Sequence, residues 1–312
     1  MATNPLILSG PYCHENLTMF FFHGSETING ERYISLGEAF AKEQVRVYET
    51  GTVGQLEAEN LSEKFDIFIQ AGDVLKGGRQ DRTIGIDFII PARSGRLPIP
   101  AFCVESGRWN RRRGEDAAHF SGSTHSIHLK SMRLAAKMAH DQAAVWEGVS
   151  HSQVTLGHAL NKVLRAAPSP TSYQLSVEDL DLKKRKSDFE NKLRKIPENS
   201  GDILGYAFYV NGQRNSADIY GSTKLFQKLW EKLLDVAILE AIGAGKEKGK
   251  PLTKRGAQEW LKEAGQSRPK ERKNAPPRTC LTVKSYKDGV VFETLDEALG
   301  DGAVLHTNII HK

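Results

Sequence analysis

Cysteine is scarce: Cys13, Cys103 and Cys280 are the three in 312 residues. They lie far apart in no metal-binding spacing, and an odd number cannot all pair. Such usage suits a reducing compartment and predicts a cytoplasmic protein. Long apolar runs are missing as well. None approaches the ~18 residues that suggest a membrane helix, so no membrane contact is expected. The first residues carry no basic segment followed by a long apolar one, and secretion is not expected either. Also absent are G-x-S-x-G, H-E-x-x-H, C-x-x-C and the P-loop. The glycine-rich stretch 243–249 imitates a phosphate loop. It follows a helical pattern where a nucleotide loop follows a strand, and it reads as a linker. No internal repeat is found.

What is present is ordinary in amount and uneven in placement. The chain is 39% hydrophobic and 26% charged, as in soluble globular proteins. Its net charge is +5. Residues 246–273 hold ten Lys/Arg and four Glu, a local surplus of +6 that leaves the rest nearly neutral.

The strongest pattern lies between Ala71 and Trp109. Ile84, Ile86, Phe88 and Ile90 alternate on one side of a polar turn (91–96), and Leu97, Ile99, Ala101 and Cys103 alternate on the other. This predicts an antiparallel hairpin of residues 80–91 and 97–105 with one buried face. Pairing Ile90 with Leu97 sets Phe88 opposite Ile99, Ile84 opposite Cys103 and Arg82 opposite Glu105. A slip of two residues would keep the face and change the partners. Arg82 and Glu105 continue the apolar face, where charges must be paired or ligand-bound. They are expected to form an ion pair flooring a pocket.

Around that pocket gather Lys76, Gly77, Gly78, Arg79, Gln80, Arg82, Arg108 and Trp109, a set suited to a phosphate-plus-ring ligand. Gly-Gly lets backbone amides approach an anion, arginines grip phosphate, and Trp109 offers a stacking face. If the protein is an enzyme, Glu105 is the expected acid or base of a hydrolase-like reaction. The alternative is a structural Arg82–Glu105 pair with Trp109 in the core. Three histidines in one loop (His119, His125, His128) are read as surface or hydrogen-bonding groups. No metal or cofactor is expected.

Taken in order, the chain predicts an α+β fold with a mainly antiparallel sheet. Residues 14–109 are β-rich, 110–126 a polar loop, and 129–196 helical. An Asn211-Gly212 hairpin spans 203–220, a helix runs to 242, and closing strands occupy 279–310. One α+β domain is expected from 1–242 and 278–312. Residues 243–277 are expected to be a poorly ordered basic linker or insertion, with a short helix carrying Trp260.

GDVLKGGRQDR (72–82) and PAFCVESGRW (100–109) resemble the two signature blocks of the ADP-ribosylglycohydrolase-and-rhodanese-phosphatase-superfamily-associated protein family. Weaker likenesses are Trp146-Glu147, GYAFYVNGQ (205–213), LWEKLL (229–234) and VLHTNII (304–310). Gln80, Arg82, Cys103, Glu105, Gly107, Arg108 and Trp109 match recurrent positions, Arg79 sits where Lys or Arg is usual, and Ser106 replaces a commoner Gln. The resemblance implies a role near ADP-ribose or NAD metabolism, with a nucleotide-like small molecule as partner, and carries no catalytic roles. The alternative is an interaction subunit whose 246–273 segment contacts nucleic acid or an acidic partner, Trp260 stacking on a base.

Overall fold

Alternation and turn chemistry lay out most of the strands. In this computed structural model residues 6–110, 112, 114–164, 169–247, 252–300 and 303–312 are described. Strands β1 (Ile7–His14) and β2 (Leu17–His23) form a first hairpin, and β3 (Tyr33–Ser35) enters helix α1 (Leu36–Ala41). Ser35 and Glu38 close that entry reciprocally as a capping box. Then come β4 (Val45–Glu49), β5 (Gln55–Asn60), β6 (Asp66–Ile69), β7 (Asp73–Gly77), β8 (Arg82–Ile84), β9 (Phe88–Ile90), β10 (Leu97–Cys103) and β11 (Phe120–Ser126). Helices α2 (Lys130–Leu134), α3 (Gln142–Ala159), α4 (Tyr173–Val177) and α5 (Leu180–Leu193) follow. The remainder is β12 (Ile203–Val210), β13 (Gln213–Tyr220), α6 (Thr223–Ala244), α7 (Lys254–Gly265), β14 (Arg268–Ala275), β15 (Thr279–Tyr286), β16 (Gly289–Asp296) and β17 (Val304–His311). The fold is α+β with mainly antiparallel sheets; β3 and β6 are a parallel pair.

Two compact units emerge. The first, residues 1–31, 189–237 and 244–312, is built on an eight-stranded sheet in the order β1-β2-β12-β13-β17-β16-β15-β14. The Asn211-Gly212 turn has positive φ at both residues (51° and 74°), as its hairpin requires. On one face α7 lays Ala257, Trp260 and Ala264 over Leu8, Phe20, Tyr209 and Ile309. On the other, Trp230 of α6 meets Phe21 and Tyr206 edge-on, with ring centroids 5.3 and 5.5 Å apart. The stretch expected to be a linker therefore holds a packed helix and the edge strand of a sheet. Its charges lie on exposed positions of β14 while α7 contributes the apolar face. Residues 248–251 of that stretch, and 165–168 of the region predicted as helical, lie outside the described residues.

The second unit, residues 32–188 and 238–243, carries a six-stranded sheet, β11-β7-β8-β10-β5-β4, and a three-stranded one, β3-β6-β9. Here the central hairpin departs from its prediction. Ala101 opposes Ile84 and Cys103 opposes Arg82, two residues off the expected register. Leu97–Pro100 pair instead with β5, and β9 joins β6 in the other sheet. The first segment breaks after Ile84. Gly85 N–H still reaches the Pro100 carbonyl, but Asp87 turns inward to accept the Ala71 N–H at 2.8 Å. Ile84, Phe88, Ile99 and Cys103 are buried as predicted, yet Thr83 and Ile89 are equally buried and Ile86 is half-buried. Both faces are covered, so the one-faced hairpin is overturned. The loop predicted over 110–126 also ends in a strand, β11, which pairs with β7.

Candidate functional site

The register sets the site. With Cys103 opposite Arg82, Glu105 has already left the ladder and cannot meet Arg82. The Arg82 guanidinium donates to Cys103 Sγ at 2.5 Å and lies 3.4 Å from Glu49. The expected Arg82–Glu105 pair is therefore replaced by an Arg82–Glu49 pair. Burial pushes the Cys103 thiol up, against the pull of Arg82.

Glu105 takes its cations from the segment that follows it. Arg108 Nη2 lies 2.6 Å from Glu105 Oε2, and Arg112 Nη1 4.0 Å from Oε1, the oxygen to which Ser169 also donates. Beside Glu105 is Asp81, entirely buried. Arg112 Nη2 lies 2.6 Å from both Asp81 oxygens, and the same guanidinium reaches Glu115 and Ser172. The backbone fixes these segments together, since Val104 N–H donates to the Asp81 carbonyl and Tyr173 N–H to the Val104 carbonyl. Two carboxylates and two guanidiniums thus interlock where β8, β10 and the start of α4 meet.

Burial pushes the Asp81 carboxyl above the ordinary aspartate range; Arg112 opposes the shift and the Glu105 charge adds to it. Folded Asp81 therefore holds a proton at pH values where the unfolded chain has lost it. That contribution is full below the ordinary aspartate pKa and is lost as pH rises through the folded value. The variant Asp81→Asn should gain stability relative to wild type as pH rises from about 4, the ordinary aspartate value, through the raised value of folded Asp81. Urea unfolding across that window checks this; a constant difference between the two proteins refutes it.

The other predicted residues divide. Arg79 is exposed, its guanidinium 5.6 Å from the Trp109 ring, and Arg82 lies 5.5 Å from the same ring. Trp109 is 37% exposed rather than a core residue. Gln80 is buried and donates to the Arg108 carbonyl. Lys76 is drawn off by Glu178, at 2.8 Å. Gly77 and Gly78 form no anion cradle, because their amides already donate to Asp81 Oδ1 and the Asp116 carbonyl. Gly78 is needed for space: at φ 58° a Cβ there would lie 2.4 Å from the Phe120 ring.

Asp81, Arg112, Glu49, Glu115, Ser169 and Ser172 escaped the sequence reading. Asp81 sits inside the GGRQDR block, which was a usable signal; the rest come from separate segments. Of the histidines, His119 meets Asp116 at 2.9 Å and His128 meets Tyr173 at 2.8 Å. Among the described residues no cluster of three His, Cys, Asp or Glu is arranged to hold a metal. Trp260, expected to stack on a base, is fully buried, and its N–H donates to the Tyr286 hydroxyl.

The chain is thus an α+β protein with a buried carboxylate–guanidinium cluster beside an exposed Arg–Trp pair. The ARG and Rhodanese-Phosphatase-superfamily-associated Protein domain matches residues 6–312, and the chain belongs to that family. No curated protein and no solved structure matches it. No helix among the described residues is long and apolar enough to cross a membrane.

Proposed function

We propose that the cluster binds an ADP-ribose- or NAD-derived nucleotide. One observation carries the reading. Gln80 Oε1, Arg108 Nε and Glu115 Oε2 are buried without a hydrogen-bond partner, gathered about the Arg108–Glu105 ion pair. Buried polar atoms left unsatisfied cost free energy, and their concentration marks a place for a polar guest. Arg79 supplies a cation and Trp109 a ring face at the rim, suited to a phosphate and a base. Glu105 supplies an acceptor for sugar hydroxyls further in, and would be the acid or base if a reaction follows. The family's association with ADP-ribosylglycohydrolases supports the same ligand class. Three free thiols support a reducing, cytoplasmic setting.

Calorimetric titration with ADP-ribose, NAD and AMP tests this. ADP-ribose should give the largest heat. Trp109→Ala should weaken its binding by about 1–3 kcal/mol, the range for a lost stacking contact, with an unchanged unfolding midpoint. No heat and no thermal shift with any of the three ligands would sink the reading and leave the cluster as architecture.

A further inference from the structure

The eight-stranded sheet of the first unit stops at β14, beyond which no further strand pairs among the described residues. An unpaired edge is a template for another chain, and proteins usually blunt it. Here the protection is uneven. Pro269 removes one N–H, and the register shift between Pro269 and Glu271 interrupts the ladder at Lys270. From Glu271 to Ala275 the pairing with β15 is regular, against Val283 to Thr279. Those residues leave outward backbone groups of the kind that strand addition uses.

The edge is also charged with one sign. Arg268 and Lys270 are exposed, and among the described residues neither has a carboxylate within ion-pair distance, nor has exposed Lys287 nearby. The single acidic residue of the strand, Glu271, is engaged by Lys273 at 3.1 Å. At the Arg268 end the strand runs into an open cleft of about 650 Å³ lined by Arg268, Gln266, Ser285, Tyr286, Lys287 and Asp288. Arg214, in the same cleft, is already neutralised by Glu263 at 2.6 Å.

These features choose among occupants. A second copy pairing edge to edge would bring lysines and arginines opposite each other, which is unfavourable. Single-stranded nucleic acid draws on a run of aromatic platforms; β14 carries none, Trp260 is buried, and Tyr286 in the cleft is half-buried with its hydroxyl held by Trp260. We infer that β14 receives an acidic peptide in extended conformation as a further strand of the sheet. Backbone hydrogen bonds form along Glu271–Ala275, and the peptide's carboxylates meet Lys270, Arg268 and, in the cleft, Lys287.

The test is fluorescence anisotropy of the full chain with a short labelled peptide of alternating Glu and Val. Three competitors are an alternating Lys and Val peptide, the acidic peptide with two central valines replaced by proline, and a short single-stranded DNA. The acidic peptide should bind, and both the prolines and the double variant Arg268→Glu/Lys270→Glu should each weaken it by about tenfold or more. Both substituted residues are exposed, so circular dichroism should remain that of wild type. Equal binding of the proline peptide would show charge without strand pairing and overturn the inference. So would failure of the acidic peptide to bind, or tighter binding of the DNA.

Discussion

Replacing Arg112 by alanine should cost the protein about 3–5 kcal/mol, the usual consequence of removing one partner from a buried ion pair. Asp81 is fully buried, and both of its oxygens lie 2.6 Å from Arg112 Nη2. Without that guanidinium it keeps the Gly77 N–H at 3.2 Å and a Ser172 hydroxyl at 3.3 Å, neither of them charged. Arg108 Nη2, 3.8 Å away, is already committed to Glu105. Arg112→Lys should fall between wild type and alanine, because it restores charge without the planar fork. Asp81→Asn in the Arg112→Ala background should recover part of the loss, the two residues being coupled. Urea denaturation of the four proteins measures this; a loss below about 1 kcal/mol for Arg112→Ala would mean that water replaces the guanidinium.

Gly205→Ala should be comparably damaging for a steric reason. A Cβ at Gly205 would lie 2.1 Å from the Asp218 carbonyl oxygen and 2.8 Å from Ile219 Cα. Both obstacles are backbone, so no side chain can swing away. Gly205 is also paired on both sides, with Ile219 and with Phe22, and cannot retreat without opening a ladder. The strand it would push carries Asp218, whose carboxylate is held by His306 at 3.0 Å and Asn308 at 2.9 Å. Overpacking with nowhere to relax should cost about 3 kcal/mol or more. Gly201→Ala is the control, since nothing lies within 4 Å of a Cβ there. Thermal unfolding of the two variants should separate them widely, and similar midpoints would refute the steric account.

The sequence showed the strands more readily than their neighbours. Alternation over 84–90 and 97–103 announces the strands that flank the break at 85–87, strand β10, and the burial of Ile84 and Cys103. It carries no information on which ladder each segment joins, so it left the two-residue slip open and gave no sign of the transfer of β9 to another sheet. The Asn211-Gly212 hairpin was legible because its turn needs positive φ at both residues. Composition misled over 254–275, where charge suggested disorder. An edge strand can be almost wholly exposed and still be ordered by pairing along one side, as β14 is. At the site, the GGRQDR block and the Glu105-to-Trp109 segment stood out. Glu49, Arg112, Ser169 and Ser172 did not, because single polar residues acquire a role only when distant segments close on one another.

The position of β17 in the eight-stranded sheet has a consequence for assembly. It inserts between β13 and β16, so the order of pairing there does not follow the order of the chain. Until residues 304–311 are in place, β1-β2-β12-β13 and β16-β15-β14 are separate ribbons, each with a sticky flank. The strand of this sheet that is made last is thus the seam of the first unit, which stays divided, and open to misassociation, until that strand emerges.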